Sequence, residues 1–364
     1  MQPEPQPRNE SEFQQRPVCG MEEAMANLSP EMRQALISGA QRTEAQAGEL
    51  LLYLDFDGAT VFPGNANPAG NRSPLISGIR NCPPPSLTAA QIETVIELVK
   101  DDFSPFNIRI TTDYADFMSY PSANKQISII TTIPQVLGFS SGIGGISPFL
   151  GLGVRLPFNP SFVFANPYGN NLAEIALTIS HESAHSMGLG HQSLYNLSCG
   201  FVTEYHPGFG TGLISFGPIM GNGGKRVGNW FAQSCVHPVF GGPQNDYSLL
   251  NSQVAVREDD FPDSPSGGLI TATEINGILE IAGDADFFRI NFKNPGPVTI
   301  SSENADIKAS LYTPGGHLLG EYNDPDDTYV TIPNAAGLRY LKVEAAGNAN
   351  MASQFMTGKY KILY

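Results

Sequence analysis

His181-Glu-Ser-Ala-His185-Ser-Met-Gly188-Leu-Gly-His191 gathers three of the six histidines in a chain of 364 residues. The run leading into it predicts a helix. From Asn171 to Gly188, Leu172, Ile175, Ala176 and Ile179 recur at i, i+3, i+4 and i+7, the spacing of one apolar face. Asn171 with Glu174 three residues on offers a capping box. At about 100° per residue, His181 and His185 fall roughly opposite the apolar face, so both imidazoles turn toward a cleft. Gly188 suits the left-handed conformation that ends a helix and swings the chain back, which brings His191 round as a third ligand. Three neutral imidazoles around zinc leave a fourth position for a water whose pKa falls to about 7, and Glu182 is placed to take its proton. With this composition the five fixed residues arise by chance on the order of 10⁻⁵, so a plain helix carrying two histidines is the weaker reading.

HESAHSMGLGH resembles the long zinc-binding signature of the metzincin metalloproteases, and Pro218-Ile219-Met220-Gly221 resembles their methionine-containing turn. The resemblance implies that His181, His185 and His191 bind zinc, that Glu182 is the general base of peptide hydrolysis and that Met220 forms an apolar floor beneath the metal. Taken alone, Met220 reads as ordinary core. Upstream lie a strand from Leu51 to a turn at Asp57-Gly58, a Gly/Pro/Asn loop to Pro85, and a helix from Leu87 to Phe103. Short strands follow at 108–110 and 127–130, then an edge strand at 144–149, where Pro148 cannot donate within a ladder, and a strand at 162–164. The succession resembles the metzincin N-terminal subdomain, whose edge strand pairs with extended substrate. By that analogy Gly144, Gly145, Ile146 and Ser147 bind a peptide by strand addition; the other reading is a glycine-rich loop.

Past His191 the chain is loop-like until a closing helix at 246–254, similar to the loop-rich metzincin C-terminal subdomain. Two departures stand out. Gln192 follows the third histidine, and Asn222 occupies the place, two residues past Met220, where some metzincins carry a tyrosine. His206 and His237 read as solvated or hydrogen-bonded rather than as ligands.

Cys19, Cys82, Cys199 and Cys235 allow three pairings. Cys199 with Cys235 is favoured because the two bracket the segment carrying Met220, which leaves Cys19 with Cys82; four reduced thiols are the alternative. Arg16-Pro17-Val18-Cys19-Gly20 also resembles the cysteine-switch segments that place a thiolate on the zinc of some metzincin precursors, a competing role for Cys19.

Residues 1–49 are expected to be disordered or pro-segment-like, rich in Pro, Gln and Glu to residue 28 and then helical from Ser29-Pro30-Glu31 to about Gln46. A protease domain over 50–256 precedes an acidic, Pro- and Gly-rich linker at 257–268. Residues 269–364 carry short strands separated by turns, the pattern of an antiparallel β-sandwich. Within them Gly283-Asp-Ala-Asp-Phe-Phe288 and Leu338-Arg-Tyr-Leu-Lys-Val343 resemble pre-peptidase C-terminal domains of secreted bacterial proteases. The expected class is therefore α+β: a metzincin-like domain with a twisted mixed sheet and an active-site helix, then a β-sandwich.

A formal charge of −15 speaks against nucleic acid and anionic membranes as partners, and no apolar run is long enough to span a bilayer. The N-terminus lacks the apolar core of a secretory signal, so export is inferred from the rest. Expected together are a secreted monomeric zinc endopeptidase acting on proteins or peptides, with a non-catalytic zinc-containing adhesin or carbohydrate-binding protein, or a latent precursor, as alternatives. Calcium is a second candidate cofactor through Asp284, Asp286, Asp324, Asp326 and Asp327, which otherwise read as solvated acidic loops.

Overall fold

The computed structural model describes residues 17–21, 28–31, 34, 41–42 and 48–364, except 121–123, 170, 214, 223–224, 226, 239–241, 303, 325–327 and 347–355. Its N-terminal part is organised on a mixed sheet of β1 (Val18–Cys19), β2 (Leu50–Asp55), β3 (Ile108–Thr111), β4 (Lys125–Thr131), β5 (Ile143–Ile146) and β6 (Ser161–Phe164). The order across the sheet is β1-β5-β6-β4-β2-β3. Strands β6, β4, β2 and β3 run parallel, β5 is antiparallel to β6, and β1 is parallel to β5.

Apolar runs without alternation imply strands covered on both faces, and β2 is buried throughout. Leu50, Leu52 and Leu54 join one core with α1 (Ala89–Asp102) and α2 (Leu172–Ser186), while Leu51 and Tyr53 join a second core on the opposite face. Thr88 and Gln91 close a capping box that starts α1. The short closing helix α3 (Asp246–Gln253) is capped by Asn245, whose side chain accepts from the Ser248 N–H.

Two expectations about the N-terminal region are corrected. Residues 17–21, in the stretch expected to be disordered or pro-segment-like, are ordered against the sheet, where the β5 edge offers main-chain partners. The helix expected from Ser29 to Gln46 has helical residues at Pro30, Glu31 and Gln34, but Gln41 and Arg42 pair with Val154 and Arg155 as a two-stranded ribbon, so it ends before Gln41.

The C-terminal part is one antiparallel sheet of strands 274–279, 285–302, 307–312, 318–323, 329–345 and 358–363, with Leu269–Ile270 added in parallel. Two strands are far longer than the sequence suggested. Strands 285–302 and 329–345 pair along nearly their whole length, and the ladder shifts register between Phe292 and Val298. Alternate side chains such as Phe288, Ile290, Val298, Ile300, Leu341 and Val343 fill one core.

The two parts share a seam. Phe216 and Val227, from the paired strands β7 (Phe216–Pro218) and β8 (Val227–Asn229), belong to the C-terminal core. The Asn229 side-chain amide donates to the carbonyls of Asn304 and Thr357, each at 3.0 Å. Asp102, at the end of α1, accepts from the Ser180 hydroxyl (2.6 Å) and the Asn304 amide (3.3 Å) through its carboxylate, and from the Trp230 indole (2.8 Å) through its carbonyl. Asp102→Ala should therefore strand two buried donors and lower unfolding free energy by about 2–4 kcal/mol. Trp230 is the single tryptophan, so denaturant titration followed by its fluorescence reads the loss directly; an unchanged midpoint would mean the seam does not depend on this carboxylate.

Candidate metal centre

Helix α2 begins at the expected cap, with the Asn171 side chain accepting from the Glu174 N–H at 3.2 Å, one of the two bonds of the expected capping box. It ends at Met187 and Gly188. Gly188 has φ +90°, and a Cβ there would lie 2.6 Å from the Val154 nitrogen, so both backbone geometry and close approach require glycine. The reversal brings His191 back over the helix.

Each imidazole is fixed through Nδ1 by a different element. His181 donates to the Ile219 carbonyl (2.8 Å), His185 to the Leu189 carbonyl (2.6 Å) and His191 to the Glu204 carboxylate (2.7 Å). With Nδ1 carrying the proton, every Nε2 presents a lone pair inward. The Nε2 of His185 lies 3.1 Å from that of His181 and 3.2 Å from that of His191. Two nitrogens bound tetrahedrally at 2.0–2.1 Å to zinc would be about 3.3–3.4 Å apart, so the ring of acceptors fits such an ion. Burial first, and then the neighbouring imidazoles, hold His185 and His191 well below their ordinary pKa, in the neutral form a metal needs.

A fourth donor joins them. Cys19 Sγ lies 3.5 Å from His185 Nε2, and the four ligand atoms of Cys19, His181, His185 and His191 lie within 4.8 Å of one another. A thiolate sulfur and an imidazole nitrogen sharing tetrahedral zinc would be separated by about 3.6 Å. The residues present thus fit a zinc ion with three nitrogens and one sulfur.

This arrangement corrects the pairing of Cys19 with Cys82. Neither is in a disulfide, and Cys82 is buried with its pKa pushed up to about 12 by desolvation, whereas Cys199 and Cys235 form the expected disulfide. Closing that loop is worth about 3–4 kcal/mol through the unfolded chain.

The edge of β5 is occupied as well. Val18 N–H donates to the Gly142 carbonyl (2.9 Å) and Gly20 N–H to the Gly145 carbonyl (2.7 Å), so the main chain expected to await a peptide already carries residues 18–20. Ile146 packs into the core, and the Ser147 hydroxyl meets that of Ser186 at 2.7 Å. Neither side chain faces the cleft. Gly145 does border it, and a Cβ there would sit 2.6 Å from Glu182 Oε1, whereas a Cβ on Gly144 would meet Tyr168 and Pro17.

Glu182 is fully buried, and desolvation pushes its carboxyl up to about 8, with the Cys19 thiol beside it acting in the opposite sense. The cleft around it, a cavity of about 290 Å³, is lined by Cys19, Tyr168, Leu177, His181, Glu182 and Tyr205, among others. Met220 is buried in the core between sheet and helices, and the neighbouring carbonyl of Ile219 is what holds His181.

Sequence reasoning missed Glu204 and Tyr205. Glu204 accepts from His191, and its second oxygen lies 3.4 Å from His237 Nε2, which gives His237 its buried place. The Tyr205 ring lies 4.5 Å from that of His191, and its hydroxyl donates to the Cys19 carbonyl at 3.3 Å. Nothing in their spacing from His191 signals either role. His206 is buried between Phe209 and Phe231, its pKa lowered by desolvation. Gln192 ties the metal loop to α3 by donating to Asp246 at 2.6 Å, a structural reason for its departure from the resembled pattern. Asn222 borders the cleft, its N–H bound to the His206 carbonyl at 2.9 Å.

Compared with protein-family models and with curated proteins, the sequence finds no match. Among solved structures, the pre-peptidase C-terminal domain of a collagenase from Bacillus anthracis is similar at 19% identity over 29% of this chain and 96% of that one, with a TM-score of 0.21. PliG from Aeromonas hydrophila, a periplasmic lysozyme inhibitor of g-type lysozyme, is similar at 13% identity over 26% of this chain and 92% of that one, with a TM-score of 0.19. At these TM-scores neither likeness assigns a function. Among the described residues no helix is long and apolar enough to cross a membrane.

The four-donor geometry predicts one tightly held transition-metal ion per chain. Cobalt-loaded protein should show thiolate-to-metal charge-transfer absorption that disappears in Cys19→Ser, while the metal stays bound through the histidines. Absorption unchanged in the variant would remove Cys19 from the coordination sphere.

Proposed function

We propose that the chain is a secreted zinc endopeptidase held latent by its own residues 17–21. The observation that carries the reading is the position of Cys19 Sγ, 3.5 Å from His185 Nε2 and beside a buried glutamate. A zinc ion held by His181, His185 and His191 supplies Lewis acidity for peptide hydrolysis. With the segment withdrawn, Glu182 faces the opened position, takes the proton of the attacking water and returns it to the leaving amine. Gly145 lets that carboxylate lie against β5, because a side chain there would displace it. The edge released by Val18–Cys19 then offers its amides and carbonyls to an extended protein or peptide substrate. Within this reading the chain works as a monomer, and its acidity leaves nucleic acid and anionic membranes without a basic face to bind.

One feature favours a rival from another class. Four protein donors make a closed site, the mark of structural zinc, as in a non-catalytic adhesin or carbohydrate-binding protein. Glu182 favours the enzyme, because a buried carboxylate beside the metal ligands has no part in a purely structural site.

Gelatin digestion by the whole chain, by Cys19→Ser and by a form starting at residue 28, each with and without a chelator, separates the two. The whole chain should be nearly inert and the other two active and chelator-sensitive. Adding Glu182→Gln to Cys19→Ser should lower turnover about 10²–10⁴-fold with zinc retained. Stoichiometric zinc without cleavage by any form would sink the peptidase reading.

A further inference from the structure

We propose that Glu204 positions the metal through His191, and that His237 and the Cys199–Cys235 disulfide position Glu204, so that zinc held at one end of this bridge depends on a covalent bond at the other. The three histidines are not held alike. His181 and His185 stand on a helix and donate to main-chain carbonyls, whereas His191 lies past the helix end and donates to a carboxylate. A charged acceptor on Nδ1–H fixes the tautomer and makes Nε2 a stronger donor to a metal. The ligand with the least regular backbone beneath it thus has the strongest outer partner.

Glu204 can hold an imidazole in place only if it is itself held. Its Oε1 lies 2.7 Å from His191 Nδ1 and its Oε2 3.4 Å from His237 Nε2, so engagement of both oxygens fixes the rotation of the carboxylate. The His191 and His237 side chains are 0% and 5% exposed, so water competes little at either imidazole. The main chain is pinned as well, the Ser193 hydroxyl donating to the Glu204 carbonyl at 2.7 Å.

Glu204 and His237 come from separate segments. The first follows the paired strands Leu194–Tyr195 and Phe201–Thr203, and the second lies in the loop before α3. The disulfide joins them covalently, with Cys199 five residues before Glu204 and Cys235 two before His237. Cys199 has φ +58°, a left-handed backbone that few residues other than glycine adopt, in a turn where the Asn196 side chain accepts from the Ser198 and Gly200 N–H groups at 2.9 and 2.8 Å. Such a conformation persists where its surroundings over-determine it, and here the turn and the bond to Cys235 do so. Phe201 stands edge-on to the His237 ring, centres 6.0 Å apart, and closes the same contact. The bond brackets the segment carrying Met220, yet what it braces is the clamp on His191. The oxygen-only group of Asp259, Asp284 and Asp286 does not compete for this ion, since zinc prefers nitrogen and sulfur donors. Of the acids considered above for calcium, Asp284 and Asp286 are buried rather than solvated, and Asp326 and Asp327 lie outside the described residues. The bridge rests on the metal centre and not on the peptidase reading, and applies to a structural zinc as to a catalytic one.

The test titrates the full zinc-loaded chain and its variants against a chromophoric chelator. Glu204→Ala should lower zinc affinity about 10–100-fold, and Glu204→Gln, which keeps a neutral acceptor, by less. Cobalt-loaded Glu204→Gln should also show shifted ligand-field bands with the Cys19 charge-transfer band still present, a signature that loss of packing alone does not produce. His237→Ala should weaken zinc binding in the otherwise wild-type chain, as should Cys199→Ser with Cys235→Ser measured below its own melting transition. Neither change should add to the loss in Glu204→Ala, because effects that pass through a shared partner are not additive. Unchanged zinc affinity in Glu204→Ala would overturn the assignment, and losses that add across the variants would overturn the bridge. Should Glu204→Ala fail to fold, as Trp230 fluorescence reads, Glu204→Gln carries the test, and wild-type affinity with unshifted cobalt bands in it would overturn the proposal equally. A full chain that takes up no zinc would overturn the metal centre and this bridge together, whereas zinc bound without cleavage bears on the peptidase reading alone.

Discussion

Three imidazole lone pairs aimed at one point, 3.1 and 3.2 Å apart, repel one another unless a cation lies between them. Much of the N-terminal part follows from meeting that condition. The helix supplies His181 and His185, the left-handed turn at Gly188 supplies His191, the turn containing Met220 holds one ring, and the loop carrying Glu204 holds another. Metal affinity and folding free energy are then one quantity shared among these elements, because the unfolded chain has no preformed site. The network behind the third ligand serves the same end. Gln244 bonds both ways to Gly190 and, with Gln192, donates to Asp246, so a loop with little regular structure is still fixed where the ligand needs it.

How far the sequence could be read depended on how local each feature is. The metal helix was legible because its apolar period, its cap and Gly188 all lie within one stretch and agree. The disulfide at Cys199 and Cys235 was legible because the two cysteines bracket the segment that must be braced. Glu204 and Tyr205 were not, since their roles depend on a loop folding back onto His191, and no period records that. Cys19 was read two ways for the same reason: a cysteine far from the motif pairs with whatever the tertiary fold presents, here the histidines rather than Cys82. In the C-terminal sheet, strand 318–323 leaves little sequence signal, because its side chains are mostly exposed and carry no apolar alternation, as suits the outer end of the sheet order. The long strands 285–302 and 329–345 read as shorter ones, because polar, proline and glycine residues interrupt the pattern where the register shifts.

The seam between the two parts bears on the metal as well. The Asn229 side chain is held by carbonyls of the C-terminal part, its own carbonyl accepts the Ile219 N–H at 2.9 Å, and the Ile219 carbonyl orients His181. Three consecutive hydrogen-bonded steps join the C-terminal sheet to a ligand. Such a chain couples the two parts best where water does not compete at its steps, and the burial of Asn229 and Ile219 keeps water away.

The four cysteines meet different chemistry. Cys199 and Cys235 must meet an oxidant to form their bond, yet Cys19 must pass through the same environment as a thiol. Cys82 is buried, whereas Cys19 is half-buried and lies against the histidines. A chain that met an oxidant before its N-terminal segment docked would expose the Cys19 thiol to sulfenic acid or a wrong pairing. Two chemistries of one element, disulfide formation and metal ligation, are thus open to the four sulfurs, and the fold separates them by where it places each cysteine.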